Sequence, residues 1–276
     1  MQREQTLPES VVKVRALRLY HNDMSVSSAK VRIVLEEKGL PWESDHINLR
    51  TGDAQKPQYL SLNPNGVVPT LVHDGRVIVE STVIGEFLDH AFPEPSLRPA
   101  VAYEAARMRL WTKQLDEGLH AATATLTLCI AVRLSHLEKP AAEFQAFLAK
   151  IPDAERRERL RLAVEKGLDS PGFAPAVRRL VRLLDEMDGT LASDPWLAGG
   201  SYSLADSAFT PYVLRLQHLG FGPFITARPH VSAWAARVFA RPSFESGVRK
   251  WLNPVGVALY ERQGEIAREK LLAIAG

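Results

Sequence analysis

Hydrophobic and polar positions follow two different periods along the chain, and the change between them falls near residue 100. Before that point, alternating runs at 16–20 and 42–49 predict strands, and residues 29–38 carry apolar positions at helical spacing. Two more strand-like runs, 70–73 and 76–79, are joined by an Asp-Gly pair, which is typical of a tight hairpin turn. The first part of the chain is therefore predicted to form a small sheet.

A short polar helix near 54–60 and a helix over 81–91 complete an element order of βαβ-α-ββ-α. The strand-helix-strand unit implies a parallel pair with a right-handed crossover. Beyond a proline-rich linker at 93–99 the strand signals fade, and helical spacing takes over. Helices are predicted over 101–138, 153–167, 173–192, 203–219, 229–240 and 257–274. The predicted fold class is α/β followed by all-α, with one domain at 14–95 and a second at 100–276.

Charge and cysteine content exclude several kinds of function. The 276 residues hold 34 Lys+Arg against 32 Asp+Glu, a balance that argues against nucleic acid or an anionic membrane as the main partner. A single cysteine, Cys129, excludes an internal disulfide and a cysteine-based zinc site, so no metal is expected. No apolar run is long enough for a signal peptide or a membrane span. These features predict a cytoplasmic protein.

Three serines, Ser25, Ser27 and Ser28, fall in the turn between the first strand and the first helix. Helix capping explains one of them. A hydroxyl at a helix start can also donate a hydrogen bond to a thiolate, and the helix dipole favours the negative charge. Together these effects lower the pKa of a thiol from its usual value of about 8.5. From the residues alone, capping and thiol activation both remain open.

Two other short segments combine turn chemistry with possible ligand contacts. Val68-Pro69 lies directly before a predicted strand; in the cis form it would present the main chain of Val68 to an extended, peptide-like ligand. Glu80-Ser81 precedes a helix, where free N–H groups and a hydroxyl can bind a carboxylate and Glu80 an ammonium group. By contrast, Ser203 and Asp206 have the spacing of a capping box and are interpreted as structural.

Three longer motifs together resemble the cytosolic glutathione transferases of the serine type: NPNGVVPTL (63–71), VESTVIGEFLDHAFPEPSLRP (79–99) and GGSYSLADSAFTPYV (199–213). The resemblance implies a thioredoxin-like first domain, an all-helical second domain, a homodimer, and glutathione as co-substrate. It also implies glutathione contacts, with Val68 and Pro69 at the cysteinyl part and Glu80 and Ser81 at the γ-glutamyl end. Gln55 and Lys56 would contact the glycine carboxylate.

The resemblance leaves the catalytic serine open. In serine-type transferases the catalytic hydroxyl lies five residues before the position of Lys30, which is Ser25. Other segments, VESTVIGEFLD, SLRPA and MRLWTKQLDE, resemble the bacterial glutathione-dependent β-etherases of lignin degradation and their fungal relatives. In that group the serine would match Ser28, with an asparagine at the position of Ser27. No cysteine lies in this loop, which disfavours thiol-transfer chemistry.

An electrophile site is expected between the two domains, for a small, hydrophobic, aromatic compound. Its candidate residues are Asn22, Met24, Trp111, Leu115, His120 and Thr123. A tryptophan at helical spacing is also typical of a core position. The charged segment 131–175 could cover the site. Three functions remain open: a transferase with etherase activity, a general detoxifying or dehalogenating transferase, and a non-catalytic binding or interaction module.

Overall fold

The computed structural model describes residues 17–276, and four strands within this range form one mixed sheet. The strands are β1 (Leu17–His21), β2 (Trp42–His46), β3 (Thr70–His73) and β4 (Arg76–Val79). Their order is β2-β1-β3-β4, with β1 parallel to β2 and the other neighbours antiparallel. The proposed domain start at residue 14 and the predicted first strand residue, Ala16, lie outside the described range.

Helices account for most of the remaining chain. They are α1 (Val26–Glu37), α2 (Pro57–Leu60), α3 (Ser81–Ala91), α4 (Ala102–Gln114), α5 (His120–Thr127), α6 (Arg133–Leu137), α7 (Ala141–Ala149), α8 (Ala154–Lys166), α9 (Phe173–Leu191), α10 (Leu204–Leu216), α11 (Gly222–Thr226), α12 (Pro229–Phe239), α13 (Pro242–Gly247) and α14 (Pro254–Ala275). The predicted order βαβ-α-ββ-α and the following all-helical part are both confirmed.

The main differences from the predicted elements lie at their ends. Helix α1 begins at Val26, three residues before the apolar spacing starts, because the Ser25 hydroxyl caps it. Strand β2 ends at His46, although Ile47 still donates its N–H to His21 O at 2.7 Å. The β3–β4 hairpin turns through Asp74 and Gly75, which have φ angles of 51° and 74°, as the Asp-Gly pair predicts.

The long helix predicted over 101–138 is divided into α4, α5 and α6. A break follows α4, where Gly118 adopts a φ of 124° that side-chain-bearing residues rarely tolerate. By length and composition the stretch Ala102–Leu137 could cross a membrane, and half of its apolar window is buried inside the protein. Core helices of soluble proteins share this property, so the stretch is weak evidence for a membrane span.

One apolar core extends from the sheet into the helical part. Helix α9 has its buried residues at helical spacing, from Phe173 through Val177, Leu180 and Leu184 to Leu191, and this stripe faces α5 and α12. Leu19 and Leu71 of the sheet belong to the same cluster as the α9 residues. Helix α1 packs on α10 and α13, so the two parts of the chain meet along the element that follows the serine turn.

Candidate active site

Strand register brings three sequence-distant segments to one edge of the sheet. Tyr20 at the end of β1 lies opposite Thr70 of β3, and Thr70 lies opposite Val79 of β4. The turn that follows β1, the residues that precede β3 and the residues that follow β4 are therefore neighbours. These are the serine turn, Val68-Pro69 and Glu80-Ser81.

The three serines of the turn have different environments. Ser25 is the N-cap of α1 and partly exposed, and its Oγ accepts the Ser28 N–H at 3.2 Å. Ser28 is fully buried, and its Oγ accepts the Asn22 N–H at 3.3 Å. Ser27 is partly exposed, and its Oγ lies 3.5 Å from His120 Nδ1 in α5. A ligand at the surface can therefore reach Ser25 or Ser27, whereas the Ser28 hydroxyl lies in the interior.

Two buried arginines hold the carbonyl groups of this turn. Arg32 Nη1 donates to Asn22 O at 3.0 Å, and Arg215 Nη2 donates to Met24 O at 2.6 Å. Burial lowers the pKa of Arg32 to about 9, so this guanidinium is cationic at neutral pH. Nearby positive charge favours an anion at the turn. Sequence reasoning missed both residues; the available signal was an arginine inside an apolar run, at Arg32 in α1 and at Arg215 in α10.

The loop before β3 leaves the main chain of Val68 free. The Val68–Pro69 peptide bond is cis. Tyr59 and Asn63 side chains donate to Val67 O at 2.6 and 2.9 Å, which fixes the preceding residue. Among residues 17–276, neither the N–H nor the C=O of Val68 has a hydrogen-bond partner. Both groups are thus available to an extended, peptide-like ligand.

Glu80 has an unusual backbone conformation at the start of α3. Its φ is 67° and its ψ is 112°, a combination that is costly for a residue with a side chain and is typical of functional sites. The Glu80 side chain is exposed and does not cap the helix. Among the described hydrogen bonds, the first N–H groups of α3 have no partner, and Ser81 beside them is partly exposed, as a carboxylate-binding site requires.

Lys30 is buried next to the first turn of α3. Lys30 Nζ donates to Thr82 Oγ1 at 2.8 Å, and Thr82 Oγ1 donates to Asp116 at 3.1 Å. Burial lowers the pKa of Lys30 to about 8, and the nearby carboxylates of Asp116 and Glu80 counteract this effect. The ammonium group links α1, α3 and the turn after α4, and it adds positive charge beneath Glu80-Ser81.

Gln55 and Lys56 lie beside the loop that precedes Val68. Gln55 Nε2 donates to Gly66 O at 3.2 Å, and Lys56 forms an ion pair with Asp53 at 2.6 Å. The same loop is contacted by the helical part of the chain: Arg156 of α8 donates to Asn65 O at 3.0 Å and to Gly66 O at 3.2 Å. The charged segment 131–175 therefore reaches the predicted glutathione site through α8.

Four of the six candidates for the electrophile site are buried instead of lining a surface. Trp111 packs edge-on against Phe209 with ring centroids 5.4 Å apart, as expected for the core alternative. Leu115 and Thr123 are also buried, and Thr123 Oγ1 donates within its own helix. Asn22 is buried because its side chain donates to Ile47 O at 3.0 Å and shapes the turn. The electrophile site proposed below does not include these residues.

The other two candidates, Met24 and His120, stay partly or fully accessible. His120 Nδ1 lies 2.9 Å from the Tyr212 hydroxyl of α10. The imidazole is open to the cleft between the domains, yet protein surrounds it closely. This enclosure and the positive charges of Lys30, Arg159 and Arg156 lower its pKa to about 4. The ring is therefore neutral at pH 7. Tyr212 was not among the predicted residues, because only the fold brings it to His120.

The described residues contain no group of three or more His, Cys, Asp or Glu side chains that could hold a metal ion. The chemistry available in residues 17–276 is that of hydroxyl groups, cations and free main-chain groups at one sheet edge. Such groups can bind a peptide-like anion and stabilise negative charge on a sulfur atom.

Comparisons with known proteins match both the sheet-containing part and the helical part of the chain. Residues 24–91 match the model of the glutathione S-transferase N-terminal domain, and residues 173–242 match that of the C-terminal domain. Protein LigF of Sphingobium sp. strain SYK-6 is 31% identical over 241 residues, covering 85% of this chain and 93% of its own length. A tetrachloro-p-hydroquinone reductive dehalogenase of Sphingobium chlorophenolicum is 32% identical, with coverages of 83% and 94%.

The chain is also similar in structure to solved glutathione transferases. The crystal structure of β-etherase LigF superposes with a TM-score of 0.79 at 31% identity, covering 85% of this chain and 99% of LigF. Glutathione transferase F7 of Populus trichocarpa gives a TM-score of 0.67 at 27% identity, with coverages of 86% and 99%.

Proposed function

This chain belongs to the glutathione S-transferase family, and we propose that it transfers the thiolate sulfur of glutathione to an electrophilic carbon. The observation that carries the proposal is the sheet edge at which the free main chain of Val68 meets the capped serine turn and Glu80-Ser81. A tripeptide with an amino-acid-like end fits these three elements. Its cysteinyl part would pair with Val68, and its γ-glutamyl end would bind at Glu80 and Ser81.

Gln55 and Lys56 complete the proposed glutathione site at its glycine carboxylate. Gln55 donates to Gly66 O, in the loop that leads to Val68, and Lys56 is the next residue along the chain. Lys56 is exposed and positively charged, and its ion pair with Asp53 partly neutralises this charge. We expect their contribution to be smaller than that of Val68, because an exposed ion pair is screened by water.

Ser25 is the proposed thiol-activating residue. Its Oγ accepts the Ser28 N–H, which leaves the hydroxyl proton free to be donated to a sulfur anion. The start of α1 and the cations Arg32 and Arg215 favour negative charge at the same place. Ser27 is the accessible alternative, and Ser28 is the weakest candidate because it is buried. The co-substrate supplies the nucleophilic sulfur, and the protein supplies the lowered pKa and the position.

The reaction proposed in finer detail is cleavage of a β-aryl ether next to a ketone, as the similarity to a β-etherase supports. The thiolate sulfur would form a bond to the β-carbon while the carbon–oxygen bond breaks. The bonding pair leaves with the aryl oxygen, and the phenolate takes a proton from water. The products are a glutathione thioether and a phenol, so no metal or external oxidant is needed.

Incubation with glutathione and a β-aryl ether ketone tests this activity. We expect release of one phenol for each thioether formed, measured by liquid chromatography. Activity toward 1-chloro-2,4-dinitrobenzene without phenol release would retain the transferase proposal and contradict the etherase one. Activity toward chlorinated hydroquinones, with release of chloride, would favour the dehalogenating alternative that a second relative supports.

A non-catalytic module is the remaining alternative. It would bind glutathione without lowering the pKa of the thiol. Ultraviolet titration of bound glutathione distinguishes an enzyme from a binding module, because the thiolate absorbs ultraviolet light much more strongly than the thiol. A pKa near the usual value of about 8.5 would favour the module, and a clearly lower pKa would favour the enzyme.

A homodimer is part of the proposal. Exposed apolar side chains gather on β4, on α3 and around α4, and an ion pair between Arg109 and Glu86 at 3.6 Å links the two helices. Exposed apolar side chains in neighbouring elements are typical of a protein–protein interaction site. The residues are Val77, Val83, Val101, Tyr103 and Leu110, of which Tyr103 is 74% exposed. A second copy of the chain could cover the patch with the same patch of its own.

We also assign the protein to the cytoplasm. Cys129 is a free, buried thiol, and burial raises its pKa to about 11. A cysteine of this kind fits a reducing compartment, in which glutathione itself is abundant as a thiol.

A further inference from the structure

Helix α8 carries four arginines, and three of them have acceptors within the protein. Arg156 donates to the loop before Val68, Arg157 donates to Ile151 O at 2.9 Å, and Arg161 is paired with glutamates of its own helix. Arg159 differs: among residues 17–276 it has no hydrogen bond or ion pair, and its Nε is buried. The two terminal nitrogens of Arg159 are not buried and have no partner among these residues, so they are available to an acceptor on a ligand.

Arg159 lines a cavity of about 490 Å³ between α5, α8 and the start of α9. This volume is within the range of sites that hold small organic ligands. Leu162 provides an apolar wall, and Thr125 and Ser170 provide polar ones. An aromatic ring with one charged substituent would fit this combination of surfaces.

Acidic residues limit the charge that the cavity can accept. Glu155 and Glu158 also line it, and Glu158 is held by Arg161 at 2.6 Å. Because Arg161 offsets the charge of Glu158, the remaining charges are those of Arg159 and Glu155, and this balance favours a singly charged anion over a doubly charged phosphate. A planar carboxylate can accept two parallel hydrogen bonds from a guanidinium group, because the spacing of its two oxygens matches that of the N–H donors.

Two helices that line the cavity, α5 and α8, also contact the proposed glutathione site. Helix α5 begins at His120, which faces Ser27, and α8 carries Arg156 on the loop at Asn65 and Gly66. The charges of Arg159 and Arg156 both act on His120. A ligand held at Arg159 would therefore extend toward the serine turn.

We propose that Arg159 is an anion subsite within the electrophile site, and that the preferred electrophile is an aromatic compound bearing a carboxylate. This inference rests on the proposed transferase function and names its substrate class. The reacting carbon would lie toward Ser25 and Ser27, and the carboxylate would lie in the cavity between α5 and α8.

A matched pair of substrates tests the proposal. 4-Chloro-3,5-dinitrobenzoate and 1-chloro-2,4-dinitrobenzene both lose chloride to the thiolate, but only the first carries a carboxylate. We expect Arg159→Met to lower kcat/KM for the benzoate by about ten- to a hundredfold, the usual effect of a lost charged hydrogen bond, and to change the neutral substrate less than about twofold. Arg182→Met removes the same charge from an exposed position of the neighbouring helix α9, outside the cavity, and should affect neither.

Calorimetric titration provides a readout that needs no turnover. The unreactive 3,5-dinitrobenzoate should bind more tightly than its methyl ester, and Arg159→Met should remove the difference. Equal binding of acid and ester by the unmodified protein would overturn the anion subsite. If neither chlorinated substrate reacts while the acid still binds selectively, the transferase proposal fails and the subsite stands.

Discussion

The Tyr212 hydroxyl lies 2.9 Å from His120 Nδ1, although 92 residues separate the two in the chain. When the Tyr212 hydroxyl donates to Nδ1, the neutral imidazole carries its proton on Nε2, and this is the tautomer assigned to His120 in the prediction below. Among the described hydrogen bonds, Nε2 has no partner, and the ring is open to the cleft. Tyr212 thus orients His120 as a hydrogen-bond donor in the wall of the proposed electrophile site.

Tyr212→Phe should weaken the binding of the electrophile while leaving glutathione binding unchanged. Loss of the hydroxyl frees the imidazole to change its tautomer, and a neutral hydrogen bond of about 1 kcal/mol corresponds to roughly a fivefold rise in KM. Steady-state kinetics with each substrate varied separately measures this. Tyr202→Phe is the control, because Tyr202 accepts its hydrogen bond from Ser207 within the helical domain. Equal KM effects of the two variants would contradict the assignment.

Substitutions at Ser25 separate thiol activation from helix capping. Ser25→Ala should raise the pKa of the bound thiol by about one to two units and destabilise the protein by about 1 kcal/mol. Ser25→Asp retains an acceptor for the Ser28 N–H but has no proton for sulfur, so we expect activity to fall while the free energy of unfolding is retained. Ser25→Thr should retain both the activity and the free energy of unfolding.

Ser28→Ala provides the comparison within the same turn. The Ser28 hydroxyl is buried against Asn22 N, so its loss should lower stability without changing the pKa of the bound thiol. A raised thiol pKa in Ser28→Ala but not in Ser25→Ala would reverse the assignment of the catalytic hydroxyl. Thiolate titration and urea unfolding of each variant provide the two measurements.

Buried histidines should make the protein more stable as the pH rises from about 4 to 6.5. Burial, followed by the charge of a neighbouring arginine, lowers the pKa of His21 to about 3 and that of His218 to about 4. Within this window the unfolded chain binds more protons than the folded one, so stability is lost as the pH falls. Urea unfolding at pH 5 and pH 7 should show the difference.

His218→Leu should reduce this pH dependence by about 2 kcal/mol, because one of the contributing groups is removed. His218 Nδ1 is buried and has no hydrogen-bond partner within residues 17–276, so an apolar replacement removes an unsatisfied group. Gln217→Leu, at the exposed neighbouring position, is the control: it removes no titratable group and should leave the pH dependence unchanged. An unaltered pH dependence in His218→Leu would show that His218 does not contribute.

Two glycines fix the position of the last helix. A Cβ on Gly264 of α14 would lie 2.5 Å from the Leu219 carbonyl carbon, and one on Gly220 would lie 2.3 Å from Gly264 O. Gly264→Ala should therefore destabilise the protein by about 1–3 kcal/mol, because backbone atoms must move apart. Gly189→Ala, in the exposed part of α9, meets no atom within 4 Å and should stabilise by up to about 1 kcal/mol. Thermal unfolding of both variants tests the close approach.

The proposed homodimer predicts the effect of charge in the apolar patch. Leu110→Lys should convert the dimer into monomers, because an unpaired ammonium group at the centre of an interface is not solvated. Ile266→Lys places the same charge on α14, at a residue that is 67% exposed. This variant should keep the mass of the unmodified protein in light scattering. A monomeric unmodified protein would contradict the dimer.

Local patterns determined much of the fold. Alternation and the Asp-Gly turn predicted β3 and β4 with their observed bounds, and the apolar spacing from Ser81 predicted α3 in the same way. The capping box of Ser203 and Asp206 is also present. These features depend on residues within a few positions of one another, for which the backbone period and the cap are decided by nearby side chains.

Tertiary structure alone decided which chemically suitable residues face the cleft. The sequence supplied three serines and could not tell that Ser28 is buried, because burial depends on how α1 packs against the second domain. It also gave no indication that Arg215 would reach Met24 across 191 positions, or that Arg159 would lack an acceptor. Contacts between distant segments arise from packing of the whole chain, and a local pattern does not encode them.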